Sequence, residues 1–68
     1  MAEQLYSVEV KNKYWCVKAV TNDREKAHKI KNNLMNEKIR DYYKARVVRV
    51  YRNTPIVRLY FMMGNKLW

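Results

Sequence analysis

The sequence predicts an α+β protein with the element order ββαββ, in which one helix packs on one face of an antiparallel sheet. Two patterns indicate this fold. Apolar residues alternate with other residues in the first and last thirds of the chain, and they recur at helical spacing in the middle. With 68 residues, of which 49% are apolar, the chain suits one small folded core, so we expect residues 1–68 to form a single domain.

The first two strands are predicted to form a hairpin. Residues 5–10 alternate with the period of a half-buried strand, and residues 13–20 are rich in strand-forming side chains. Lys11 and Asn12 lie between these segments. Because asparagine tolerates a positive φ, they predict a tight turn.

A helix is predicted to follow, with Asn22 as its N-cap and Glu25 reaching back to the cap. Its apolar residues have the spacing of one helix face, and the helix is expected to end between Ile39 and Asp41. The residues of that face are Ala27, Ile30 and Leu34.

Two further strands are predicted over residues 44–52 and 56–63, with residues 52–55 as the turn between them. Pro55 cannot donate a ladder hydrogen bond, so it is placed at the start of the fourth strand. Residues 66–68 follow a turn signal and are expected to fold back as a very short fifth strand.

The alternation also assigns the two faces of the sheet. The face toward the helix is expected to carry Val8, Val10, Trp15, Val17, Ala19, Val48, Val50, Val57, Leu59 and Phe61. The opposite face has no helix to cover it and combines tyrosine with basic residues, which stack on bases and pair with phosphates. This face is the first candidate binding surface, with Tyr14, Lys18, Arg49, Tyr51, Arg58 and Tyr60.

The net charge of +9 predicts an acidic partner, of which nucleic acid is the commonest. A second candidate surface is the outer side of the helix, where basic residues alternate with asparagines and follow a phosphate backbone. Its basic residues are Lys29, Lys31, Lys38 and Arg40, with Arg24 at the helix start. The alternative to binding, for both surfaces, is that the charged side chains only face solvent. On open strands, Lys and Arg also prevent edge-to-edge aggregation.

Catalysis has no support in the residue types present. The chain has one histidine, His28, one cysteine, Cys16, and one glycine, so no nucleophile–base pair, zinc site or phosphate-cradling loop is predicted. We therefore expect a non-enzymatic protein without cofactor or metal. The lone thiol and the lack of a long apolar run predict a cytoplasmic protein that does not bind membranes.

The C-terminal part concentrates large apolar side chains, which are common at protein interfaces. They serve either a partner protein, the far side of the core or a homodimer seam. These residues are Phe61, Met62, Met63, Leu67 and Trp68.

The segment from Val17 to Ala27, running into Ile30 and Leu34, resembles the strand–turn–helix of many small phage proteins. The resemblance implies that Ala27 packs the helix on the sheet. It also implies a class of small phage accessory proteins, some of which bind and inhibit host proteins in the host cytoplasm.

Two functions remain open. The first is nucleic-acid binding through the basic aromatic sheet face or the basic helix. The second is a phage-type protein-interaction module that inhibits a host protein with an acidic surface.

Overall fold

The computed structural model describes residues 3–11, 13–36 and 44–68 of the chain. The elements in chain order are β1 (Gln4–Lys11), β2 (Trp15–Thr21), α1 (Arg24–Asn36), β3 (Lys44–Tyr51) and α2 (Pro55–Met62). The three strands form one antiparallel sheet with the order β2-β1-β3. The predicted α+β class, the antiparallel sheet and the helix packed on one face are therefore confirmed.

The N-cap of helix α1 lies one residue later than predicted. The cap is Asp23, whose Oδ1 accepts hydrogen bonds from the backbone N–H of Glu25 at 3.0 Å and of Lys26 at 3.4 Å. The Asp23 N–H in turn donates to Thr21 Oγ1 at 3.1 Å, which holds the chain as it leaves β2. The prediction of Asn22 as the cap was wrong. The predicted helix end at residues 39–41 and the turn residue Asn12 lie outside the described residues.

The predicted fourth strand was also wrong, because its residues form α2. Pro55 occupies the first turn of this helix, where its fixed φ is favourable and its missing N–H costs nothing. The Thr54 carbonyl accepts from the N–H groups of Val57 at 2.9 Å and Arg58 at 3.0 Å. Gly64, with φ +88°, follows the helix end, and its N–H donates to the Phe61 carbonyl at 3.0 Å.

A β-bulge in β2 decides which residues share a sheet face. Val8 pairs with Ala19, whereas Glu9 pairs with Val17, so Lys18 is an extra residue in β2. Strict alternation would put Val17 and Ala19 on the same face. The bulge instead places Ala19 on the face of Val8 and Val17 on the opposite face.

The two helices therefore cover different faces of the sheet, and the apolar residues divide into two clusters. Ala27 of α1 packs in a cluster with Val8 and Ala19, where Ile30, Leu34, Val47 and Tyr6 complete the contact. On the opposite face, α2 contributes Val57 and Tyr60 to a cluster that also holds Leu5, Val20 and Val50.

The predicted helix-facing set was consequently wrong for several members. Val17, Val48 and Val50 lie on the α2 face, and Trp15 joins them because it pairs with Lys11. Leu59 belongs to α2 itself and is exposed. Because side chains alternate between the faces of a strand, a shift of one residue in the predicted alternation assigns a side chain to the wrong face.

The C-terminal residues bond to β2 without forming the predicted fifth strand. The Trp68 N–H donates to the Val20 carbonyl at 2.8 Å, and Leu67 packs on the α2-side cluster. Tyr60 anchors this segment, since its hydroxyl donates to the Lys66 carbonyl and accepts from Trp68 Nε1, both at 3.2 Å. In the part of the chain that the structure describes, neither helix is long and apolar enough to cross a membrane.

Candidate nucleic-acid interface

The six residues predicted to form a basic aromatic sheet face do not share one surface. Arg58 and Tyr60 lie on α2, and Tyr60 is buried. Tyr14 lies in the turn before β2 and is 74% exposed, and Lys18 is the exposed bulge residue. Only Arg49 and Tyr51 remain together, two residues apart on β3 and therefore on the same sheet face.

The prediction that Arg49 and Tyr51 face away from the helix was wrong. They lie on the face that α1 covers, because Arg49 pairs with Tyr6 and Tyr6 packs in the α1 cluster. A cleft of about 400 Å³ opens between α1 and β3 at this position. Its lining residues are Tyr6, Arg24, His28, Val47 and Arg49. The two surfaces that sequence reasoning treated as alternatives, the sheet and the helix, thus meet in one site, which we call the α1–β3 cleft.

The geometry of α1 explains which helix residues reach the cleft. Arg24 and His28 are four residues apart and lie on one stripe of the helix, and Lys31 continues that stripe at the next turn. Lys31 is half-buried, whereas Lys29 is exposed on a different stripe. Lys38 and Arg40 lie outside the described residues.

The described residues of the α1–β3 cleft carry positive charge and no carboxylate. No acidic residue is among the described residues that line it. Within the described ranges, neither Arg24 nor Arg49 takes part in an ion pair. The ion pairs there join Glu9 to Arg46 and Glu3 to Arg52. The guanidinium groups of the cleft are therefore available to an anion from outside.

Among the polar residues described in the cleft, Tyr6 and His28 are those that the sequence did not assign to binding. Tyr6 is half-buried, and its hydroxyl oxygen accepts a hydrogen bond from Gln4 Nε2 at 3.0 Å. The four-residue spacing of Arg24 and His28 in the sequence indicates that both lie on one stripe of a helix. The cross-strand pairing of Tyr6 with Arg49, by contrast, has no signature in the sequence.

The arrangement suits binding of a phosphate-bearing ligand. Arginine donates paired hydrogen bonds to phosphate oxygens, and a volume of about 400 Å³ lies within the range of small-ligand sites, about 300–1,000 Å³. Among residues 3–11, 13–36 and 44–68, no three His, Cys, Asp or Glu side chains converge as they would around a metal ion.

Comparisons with known proteins add no further constraint. No protein-family model matches this chain, and neither the curated proteins nor the solved structures contain a match. The resemblance of residues 17–34 to phage accessory proteins stays a prediction.

Proposed function

We propose that this protein is a non-catalytic nucleic-acid-binding protein that holds the phosphate backbone of a single strand in the α1–β3 cleft. One observation carries the proposal. Arg24, His28 and Arg49 come from two separate elements and line the same concave site, with no carboxylate among the described lining residues. The net charge of +9 supports it, since a positive field concentrates polyanions near the surface.

In the proposed binding mode, two arginines contact phosphates and one aromatic ring stacks on a base. Arg24 and Arg49 each contact a phosphate, for which the planar guanidinium is better suited than an ammonium group. Tyr51 is 45% exposed and lies beside Arg49 on the same face, where a base can stack on its ring. Only an unpaired base exposes the face that stacks on the Tyr51 ring, so the proposal commits to a single strand.

Salt-dependent binding of a labelled oligothymidylate, about 16 nucleotides long, tests this proposal by fluorescence polarisation. Each of Arg24→Gln and Arg49→Gln is expected to make the negative slope of log K against log salt shallower by about 0.7. At about 0.1 M salt, that change in slope corresponds to about fivefold weaker binding for each arginine, relative to a 1 M reference. Tyr51→Leu is expected to weaken binding by about fivefold or more without changing the slope, because stacking releases no counterions.

Arg58→Gln is the matched control, since it removes the same charge from the exposed side of α2, away from the cleft. The proposal fails if Arg58→Gln makes the salt-dependence slope shallower by as much as Arg49→Gln does, because net charge alone would then explain binding. It also fails if the wild-type protein does not bind the oligonucleotide at about 0.1 M salt. Tighter binding of a duplex than of the single strand would contradict the assignment to single strands.

A further inference from the structure

Helix α2 carries an apolar stripe that the protein itself leaves uncovered. Ile56, Leu59 and Met63 have the three- and four-residue spacing of one helix face, and Leu59 and Met63 are 56% and 74% exposed. Met62 beside them is 80% exposed. These side chains lie away from Val57, which packs in the core. Contiguous exposed apolar surface of this kind marks interaction sites in soluble proteins.

The stripe continues into a groove between α2 and β2, with a volume of about 340 Å³. Trp15 and Val17 of β2 line the groove opposite Ile56 and Leu59 of α2 and Met63 at its C-cap. Aromatic and methionine side chains are enriched at the centres of protein interfaces. The groove therefore resembles the concave apolar sites into which partner segments insert.

The Trp15 ring is held in position before any partner arrives. The Arg46 guanidinium lies over the ring, 3.9 Å from its centroid, and Arg46 is itself ion-paired with Glu9 at 2.8 Å. The Lys11 ammonium lies 5.8 Å from the same ring. Because the ring is already fixed, a partner that packs against it loses little side-chain entropy on this protein's part.

The charges around the groove are positive. Arg46 and Lys11 lie at its Trp15 end, and Arg58 lines a neighbouring depression with Leu59 and Met62. The carboxylate of Glu9 pairs with Arg46 and neutralises its charge, so Lys11 and Arg58 carry the positive charge of the rim. This groove between α2 and β2, which we call the α2 groove, thus combines an apolar centre with a cationic rim.

We infer that the α2 groove binds an acidic amphipathic helix of another protein, with its apolar side chains against Leu59, Met63 and Trp15 and its carboxylates toward the cationic rim. A partner helix presents its apolar anchors at three- and four-residue spacing, and such a helix can pack against the α2 stripe, whose residues have the same spacing. A second copy of this chain fits less well, because it would bring Arg58 and a net charge of +9 against the same charges. This site is separate from the α1–β3 cleft, which lies on the opposite face of the sheet.

Selection from a phage-displayed library of random peptides tests the inference. The wild-type protein is the bait, and the double variant Leu59→Gln/Met63→Gln is the counter-selection bait. We expect the peptides that require these two residues to carry apolar residues three and four positions apart and an excess of Asp and Glu. Both substituted side chains are more than half exposed, so the variant is expected to fold, which far-UV circular dichroism checks.

Affinities of the selected peptides, synthesised with a fluorescent label, are then measured against further variants. Leu59→Gln is expected to weaken binding about tenfold or more, as for a central interface residue. Arg58→Glu is expected to weaken it by a salt-dependent factor, because it reverses the rim charge. Met35→Gln is the matched control, since Met35 is 46% exposed on α1 and outside the groove.

Three results would overturn the inference. In the first, no selected peptide depends on Leu59 or Met63. In the second, the dependent peptides have no excess of acidic residues. In the third, sedimentation equilibrium reveals a dimer that Leu59→Gln dissociates, which would assign the groove to a second copy. Oligonucleotide binding by the double variant is expected to match the wild type, so the outcome is independent of the nucleic-acid proposal.

Discussion

The carboxylate of Glu9 sets up the most informative stability experiment on this protein. Glu9 lies on β1, the central strand, and is 5% exposed. Its Oε1 lies 2.8 Å from Arg46 Nη2 and 2.9 Å from Arg46 Nε, and its Oε2 accepts from Ser7 Oγ at 3.1 Å. Replacing Arg46 by methionine leaves the carboxylate buried with the Ser7 hydroxyl as its remaining described partner.

The expected cost of Arg46→Met is about 2 to 3 kcal/mol. Loss of one partner from a fully buried ion pair costs about 3 to 5 kcal/mol, and the value is reduced here because the Arg46 side chain is 47% exposed and water reaches the site. The cost is large beside a total stability of about 0.05 to 0.15 kcal/mol per residue. For a domain of this size it lowers the Tm by about 10 to 20 °C.

Glu9→Gln is expected to cost less, about 1 kcal/mol, although it breaks the same ion pair. The amide keeps the shape and still accepts hydrogen bonds, and Arg46 can turn its charge toward water. The double variant Glu9→Gln/Arg46→Met is expected to be less destabilised than the sum of the two single variants, because no unpaired charge remains buried.

Urea unfolding, followed by far-UV circular dichroism and tryptophan fluorescence, measures all three variants. Arg58→Met is the control, since Arg58 is exposed and forms no ion pair within the described ranges; its effect is expected to stay within about 0.5 kcal/mol. The reasoning is refuted if Arg46→Met destabilises the protein no more than Glu9→Gln, because the asymmetry follows directly from the burial of the carboxylate.

Two further substitutions test local features of the fold. Asp23→Ala removes the acceptor at the start of α1 and is expected to lower the free energy of unfolding by about 1 kcal/mol, whereas Asn22→Ala is expected to have little effect; equal costs in urea unfolding would contradict the cap assignment. Tyr60→Phe removes the hydroxyl that bonds Trp68 Nε1 and the Lys66 carbonyl, with an expected cost of about 1 kcal/mol and faster hydrogen exchange of the Trp68 amide. Unchanged exchange at that amide would show that the tyrosine does not anchor the C-terminal segment.

The candidate site was only partly predictable from the sequence. Arg49 and Tyr51 were correctly expected to share a face, because they are two residues apart on a strand, but that face is the one that α1 covers. For Arg24 and His28, which line the cleft with Arg49, the sequence could indicate only that both lie on one stripe of the helix. That this stripe lies beside Arg49 depends on how α1 packs on the sheet, which no local pattern specifies.

The error at residues 56–63 has a clear physical origin. Ile56, Val57, Tyr60 and Phe61 favour strands, and a short apolar run does not distinguish a strand from a helix by its period alone. Pro55 is compatible with the first position of either element. The helix forms because it places both Val57 and Tyr60 against Leu5, Val20 and Val50, a contact between residues far apart in the chain.

The sequence by itself determined the two N-terminal strands, the third strand, the helix around Ala27 and the excess of positive charge, because each depends on local periodicity or on composition. Only the tertiary structure decided the helical state of α2, the bulge at Lys18 and the meeting of Arg24 with Arg49. These features depend on long-range packing, in which a shift of one residue moves every following side chain to the other face of the sheet. The position of the positive charge, and with it the proposed function, therefore depends on the fold rather than on the composition.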